Sequence, residues 1–497
     1  MQTRLEKDAI GPIQVPVDAY YGSFTTRALA NFQITGIRAP EEVKIAYGLI
    51  KKSAAMTNAE LGELEPKLAK AIIQACDEFI AGKFDDQFTL DVFQAGAGTP
   101  FNMNTNEVVA NRANEILAKE GYTLDGTKIS GTKGSYKPVT PNNHVNWAQS
   151  SNDVTPTAIR LAALLRLRKL LPEVQKLRDS LMKKAKAFSK ILKVGRTHIQ
   201  DAVPITLGQE FEAYSSAINH CLEYLKESFN HLNELGIGAT ALGTGITTHP
   251  KYRSLMVKNL SQLTGLKLKP TKNPMELTHG MNAFTQASNG LRVLANDLIR
   301  IANDFKLLAS GPVAGINEIT LPDVEPGSSI MPGKVNPSVP EAMNMIGFQV
   351  IGNDTVINLA VQGSQLELNV MTPVIMYNLM WSMELLINGT NMFRVFCVDQ
   401  VKANEKRCKE LLEKSLCLAT GLSPYLGYKV TALLVGEALK KGQTLIDTVA
   451  SHNFMSKQEL ESILVPAKLT KPALTDKTLA TKIKANKNYQ AFLKNIA

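Results

Sequence analysis

The sequence predicts a mainly α-helical protein built around a set of unusually long helices. Three observations carry this expectation. Aromatic residues make up only 6 % of the chain while Leu, Ala, Ile and Met are plentiful, a balance that favours helix over sheet. Apolar residues recur at helical spacing over stretches of roughly thirty residues. Between those stretches lie segments dense in Gly, Pro, Asn, Ser and Thr, which punctuate helices.

Taken in order, the first forty residues read as irregular, broken by Gly11-Pro12, Pro16 and Gly36. Helical patterning begins near Glu41 and runs through Ala59, and a second helix is expected over Pro66–Ile80. Residues 85–105 read as loop, with helix resuming at Thr105 through Glu107, Val108, Ala110 and Ala113. Residues 121–143 again read as loop. Thr155-Pro156 is a helix start, a capping hydroxyl followed by proline in the first turn. Leu161, Leu164, Leu165, Leu171, Val174, Leu177 and Leu181 then repeat at helical spacing. The same pattern returns over 206–235 and 280–309, and 339–399 reads as long and almost unbroken. Beyond 401 the helices shorten, interrupted at Gly421, Pro424, Gly427 and Gly442. No repeat of fixed period is visible.

Helices of this length imply an extended bundle. Apolar residues on more than one helix face imply that the bundle meets other bundles, so a homo-oligomer is expected. At 497 residues the chain is too long for one compact core. The expected division is an N-terminal mainly helical domain over 1–142, a central long-helix bundle over 143–400, and a small C-terminal helical domain with a Lys-rich tail over 401–497.

Composition narrows the class. Charged residues at 20 % and apolar residues at 44 % are ordinary for a globular protein. No N-terminal stretch combines a basic flank, an apolar run and a small-residue cleavage site, and no apolar run is long enough to span a bilayer. A cytoplasmic protein, or the mature form of an organelle enzyme, is expected, with no membrane partner. Cys76, Cys221, Cys397, Cys408 and Cys417 are odd in number and widely spaced, so buried thiols are expected rather than disulfides or zinc ligands. Net charge is +10 and the pI about 9.1, which suits attraction of anionic metabolites. Lys468, Lys471, Lys477, Lys482, Lys484, Lys487 and Lys494 crowd the C-terminus without interleaved aromatics. They read as solvated surface, and no nucleic-acid partner is expected.

Four loops between the helical stretches concentrate small polar residues. The first is Gly96–Glu107, the second His144–Asp153, the third Gly195–Asp201, and the fourth Gly327–Pro337. Singly, each has a plain explanation in turns and helix caps. The fourth resists it. Two glycines, two serines, two prolines and one lysine in that segment form no regular element. Ser328 and Ser329 offer hydroxyls and N–H groups, Lys334 a positive charge and Asn336 an amide, a kit for binding carboxylates and handling protons.

This fourth segment, GSSIMPGKVNP, resembles the signature of the aspartase/fumarase superfamily. Gly195-Arg196-Thr197-His198 resembles the family's second signature region, and Ser150-Ser151-Asn152-Asp153 resembles its QS[ST]ND stretch. Arg4–Asp8 and Ala19-Tyr20-Tyr21-Gly22 look like the family's N-terminus. The likeness covers roughly residues 3–465 and leaves Pro466–Ala497 without a counterpart. It implies a three-domain, mainly α fold whose central long helices form a tetrameric helical core, with active sites shared between subunits. It implies elimination from a small dicarboxylate or amino-acid substrate through an aci-carboxylate, with no cofactor and no metal. Ser328 would be the general base, acting with His198 and Lys334. Thr99, Ser150, Ser151, Asn152, Thr197, Ser329 and Asn336 would bind substrate, and Glu341 would orient His198.

Two branches of the superfamily fit best, both making fumarate, one releasing ammonia and one releasing water. The argininosuccinate and adenylosuccinate branches fit less well, because their signature loops usually carry a bulkier residue where Gly333 stands. Gln94–Thr99 (QAGAGT), Val339-Pro340-Glu341, Gln365–Met371 and Gly315–Ile319 resemble the ammonia-releasing branch. Thr140 stands where the water-releasing branch has a histidine. Ser150-Ser151 and Glu325-Pro326 resemble the water-releasing branch, while Pro100 and Phe101 match neither. The implied reaction is loss of ammonia from aspartate, with hydration of fumarate as the alternative. A structural relative without catalysis fits less well, because Thr197, His198, Ser328, Lys334 and Asn336 are all present.

Overall fold

The computed structural model describes residues 2–496, and the chain is mainly helical, as expected. Among the described residues, five helices reach 22 residues or more: Ser151–Ala187, Leu207–Ser228, Asn282–Leu308, Ser338–Gln362 and Thr372–Phe393. The strands of the described residues pair only as two-stranded ribbons. The chain forms two compact units. One takes residues 1–173, 221–296 and 345–389, and the other 174–220, 297–344 and 390–497.

In the first unit the N-terminal segment is ordered rather than irregular. Thr3–Lys7 pairs antiparallel with Pro12–Pro16, and Ser23–Asn31 is a helix. Such a short ribbon turns few apolar residues inward; Val15 is buried but the ribbon's other deeply buried side chain is Glu6, so the alternation that marks a strand is missing. Arg4 ties the segment together by donating to the carbonyls of Pro16 (2.7 Å), Ala19 (2.9 Å) and Tyr21 (2.9 Å). Gly22 follows in a tight spot. A Cβ would run into Tyr136 Oη and lie 2.7 Å from Glu6 Oε2.

Helices Glu41–Glu60 and Pro66–Ile80 lie where the periodicity puts them. They pack with Thr99–Lys119 around Leu68, Ile72, Cys76, Val109 and Ile116. That third helix starts at Thr99, not Thr105. The glycines, Pro100 and the asparagines of the segment gave the loop reading. Pro100 is tolerated in the first helical turn, and Asn104 Nδ2 donates to Gln87 O at 2.8 Å inside the fold. Phe101 is buried and stacks on Phe88 with centroids 5.3 Å apart, burial worth about 1.5–3 kcal/mol. Pro100 and Phe101 therefore serve the core.

Helix Ser151–Ala187 likewise starts before Thr155-Pro156, because Ser150 and Asp153 cap it. Ser150 N donates to Asp153 Oδ1 at 3.0 Å, and Asn152 N to Ser150 Oγ at 3.2 Å. The stretch read as almost unbroken over 339–399 is interrupted between Gln362 and Thr372. Asn369 turns its amide back onto the carbonyls of Ala360 (3.0 Å) and Val361 (3.2 Å), satisfying the helix end. The apolar residues Leu366, Leu368, Val370 and Met371 conceal that break in the sequence.

The second unit holds the ribbon Leu192–Thr197 with Gln200–Thr206, and Ile319–Thr320 pairs with Lys402–Ala403. Short helices follow from Glu405, as expected. The Lys-rich tail is folded: Lys477–Ala485 and Lys487–Ile496 are helices. They place Ile483 and Tyr489 in a core with Leu422, Leu426, Phe454 and Leu460, while the tail lysines face outward. All five cysteines are buried thiols. Among the described residues no helix is long and apolar enough to cross a membrane.

Candidate active site

The first two polar loops share one floor in the first unit. Lys51, fully buried on helix Glu41–Glu60, points its ammonium at three side-chain amides. It donates to Asn102 Oδ1 (2.6 Å), Asn146 Oδ1 (2.9 Å) and Gln149 Oε1 (2.9 Å), so each of its protons has an acceptor. Burial pulls its pKa down to about 7. Asn102 lies on the helix of the first loop, Asn146 and Gln149 in the second, and Asn146 also accepts from Asn102 and Asn106.

Thr99 and Ser151 meet above this floor. Thr99 Oγ1 donates to Gly96 O at 2.6 Å and lies 2.9 Å from Ser151 Oγ. Gly98 must be glycine here: its φ is +78°, and a Cβ would lie 2.6 Å from Thr155 Oγ1. Asn152 Nδ2 donates to Ala241 O at 2.7 Å. Asp153 is buried and accepts the N–H groups of Gly238 (2.9 Å) and Thr240 (2.8 Å) besides that of Ser150. Burial raises its carboxyl to about 7 against the pull of those three N–H groups. The structure thus brings Thr99, Ser150, Ser151 and Asn152 together, and adds a loop over 236–245 that sequence reasoning did not single out. Its signal was present: Gly236, Gly238, Gly243 and Gly245 crowd one short stretch between helices. Lys51 and the bracing role of Asp153 were also missed. The first reads as an ordinary helical lysine and the second as a capping residue.

In the second unit, Thr197 and His198 stand at the tip of the Leu192–Thr197 and Gln200–Thr206 ribbon. Thr197 pairs with Gln200, and the two-residue turn is His198-Ile199. Arg196 grips the buried Glu318 with both terminal nitrogens, at 3.0 to 3.1 Å, and Lys193 reaches the same carboxylate at 2.9 Å. Lys193 also donates to Glu210 Oε2 at 2.8 Å. A buried carboxylate facing two cations is compensated rather than stranded.

The segment Gly327–Pro337 folds back on itself without regular structure. Ser328 N donates to Lys334 O at 3.2 Å, and Lys334 N to Met331 O at 3.3 Å. A Cβ on Gly327 would overlap the Lys334 carbonyl oxygen, so the closure requires glycine. Ser328 Oγ accepts two backbone N–H groups, from Ile330 (3.2 Å) and Met331 (3.0 Å). Among the described residues, the side chains of His198, Ser329, Lys334, Asn336 and Glu341 make no hydrogen bond or ion pair. No group of three or more His, Cys, Asp or Glu is placed there to hold a metal ion.

The mainly helical fold and the order of these polar loops agree with the aspartase/fumarase resemblance of the sequence. The lyase family model matches residues 11–352 and the fumarase C C-terminus model residues 418–471. The chain belongs to that lyase family. It is 45 % identical to aspartate ammonia-lyase of Bacillus subtilis (strain 168) over 479 residues, 96 % of this chain and 98 % of that protein. It is 44 % identical to class II fumarate hydratase of Neisseria meningitidis, across 95 % of this chain and 100 % of that protein. The crystal structure of a Brucella melitensis fumarate lyase:delta crystallin bound to cobalt superposes with TM-score 0.89 at 41 % identity, covering 95 % of this chain and 100 % of the other. Class II fumarase from Schistosoma mansoni gives 0.89 at 36 % identity over 95 % of this chain and 100 % of its own.

Proposed function

We propose that the protein removes ammonia from L-aspartate to give fumarate, reversibly, with Ser328 as the base. The observation that carries this is the pair of N–H groups from Ile330 and Met331 on Ser328 Oγ. A serine hydroxyl is a poor base, and donors aimed at its oxygen favour the alkoxide that can take a proton. The proton leaves the carbon beside one carboxylate and goes to Ser328. The electron pair spreads into that carboxylate as an aci-carboxylate, then forms the double bond as the C–N bond breaks and ammonia departs. A carbon acid of this kind is very weak, so most of the rate must come from holding the dianion. Lys334, Ser329 and Asn336 supply cation, hydroxyl and amide for it. Thr99, Ser150, Ser151, Asn152, Thr197 and His198 line the remainder of the site. Glu341, whose carboxylate has no partner among the described residues of the single chain, orients His198 in the assembled site.

Ammonia is preferred over water as leaving group on the motifs: QAGAGT at Gln94–Thr99, Thr140 in place of histidine, Val339-Pro340-Glu341, and Gln365–Met371. The relatives at 45 % and 44 % identity carry different names, so overall similarity does not discriminate. Hydration of fumarate is the second reading, favoured by Ser150-Ser151 and Glu325-Pro326. Following fumarate absorbance with L-aspartate or L-malate as sole substrate decides between them. Aspartate turnover is expected, and malate turnover with inert aspartate reverses the choice. Ser328→Ala should lower turnover by several orders of magnitude with the fold intact.

The same reading includes a homotetramer with shared sites. Its support lies on residues 345–362, whose exposed positions carry no charge and include Met345, Phe348 and Leu359, each more than 60 % exposed. Light scattering on the eluting protein should give the mass of four chains.

A further inference from the structure

The turn His198-Ile199 has the wrong residues for its backbone. Two-residue hairpin loops with positive φ at both positions belong to Asn-Gly and Asp-Gly. Here φ is +55° at His198 and +61° at Ile199. A β-branched residue is among the least tolerant of the left-handed region, because its Cβ substituents crowd the following carbonyl. Burial does not compensate Ile199, which is 67 % exposed.

The strands behind the turn hold it in place. Lys193 and Arg196 both bind the fully buried Glu318, and Lys193 also binds Glu210. A register shift between Val194 and Arg196 falls at Gly195, where a Cβ would sit 2.7 Å from Val203 O. Strained residues persist when their surroundings over-determine them, and they gather where geometry matters for function.

We infer that Ile199 is a positioning residue: with the turn held in the left-handed region by the strands behind it, the branched side chain leaves the backbone a narrower range there than Gly or Asn would, and so fixes the direction in which His198 presents its imidazole. The inference rests on the proposed role of His198 in the site. A more permissive residue at 199 relaxes the turn, gains stability, and lets the imidazole wander in the transition state.

The test uses the full-length assembled protein and whichever of aspartate and malate it turns over. Ile199→Gly and Ile199→Asn are compared with the parent for melting temperature, kcat and KM, with His198→Asn alongside. Both variants at 199 should melt at or above the parent temperature. Their kcat should fall at least about fivefold, with KM changed less than kcat. A lower melting temperature would mark Ile199 as a packing residue and overturn the inference, as would a smaller loss of kcat. If His198→Asn keeps full turnover, the reading of His198 itself fails, whatever the 199 variants do.

Discussion

Asp153 holds Thr240 through its backbone: Asp153 Oδ2 accepts Thr240 N at 2.8 Å, and Gly238 N at 2.9 Å. One buried carboxylate therefore joins the loop over 236–245 to the start of helix Ser151–Ala187, directly behind Ser150, Ser151 and Asn152. Asp153→Asn keeps one acceptor oxygen but turns an amide N–H2 toward a backbone donor. It should cost about 1–3 kcal/mol in thermal unfolding and raise KM, as the serines lose their support. An unchanged melting temperature would show that the carboxylate is not the brace.

Gly327→Ala addresses the signature loop without touching a reactive group. The added methyl overlaps Lys334 O, so the Ser328 N to Lys334 O bond must open. The loop is exposed, and the melting temperature should stay within a degree or two of the parent. Activity should fall about a hundredfold, since small displacements of positioned groups are costly.

Glu107 supplies a pH dependence. Its buried carboxylate accepts the N–H groups of Gly22 (2.9 Å), Phe24 (2.9 Å) and Thr25 (3.2 Å). Burial lifts its pKa to about 7, above the unfolded value of about 4.3. A carboxyl raised in the native state contributes stability that is complete below the unfolded pKa and lost as pH rises through the folded one. The melting temperature should therefore decline between about pH 4 and pH 7. Glu107→Gln, which cannot ionise, should make that decline shallower, the rest belonging to Asp153, whose carboxyl burial also raises to about 7. It should lower stability throughout, because its amide faces a donor.

Tyr489 measures how far the tail belongs to the fold. Its hydroxyl donates to Leu426 O at 2.7 Å, and its ring meets Phe454 edge-on at 5.5 Å. Tyr489→Phe should cost about 1 kcal/mol and Tyr489→Ala about 3–5 kcal/mol, read by denaturant unfolding. Equal stability of the Ala variant would make the tail an appendage.

What could be read beforehand follows from which signals are local. Helices over 41–59, 66–80 and 280–309 were legible because one apolar stripe persists through each. The polar loops were legible because glycine, serine and asparagine clustered where no connection needed them. Thr99–Asn104 was not, since buried asparagines inside a helix look like loop until their partners across the fold are known. The break between Gln362 and Thr372 was hidden by apolar residues that satisfy a helical pattern while Asn369 ends the helix. Lys51 was invisible for the same reason: its acceptors, Asn102, Asn146 and Gln149, lie far along the chain. Ile483 and Tyr489 disappeared among lysines, although their spacing carries one face of each tail helix.

The buried thiols have a use of their own. Burial pushes Cys397 and Cys408 up to about 12, and Cys76 higher still, so none of these three reacts while packed. Cys76 and Cys221 belong to one compact unit, and Cys397, Cys408 and Cys417 to the other. A thiol-specific alkylating reagent followed by peptide mass mapping then works as two stopwatches on one chain. Each records how often its own unit breathes open, with no label to introduce and no residue to replace.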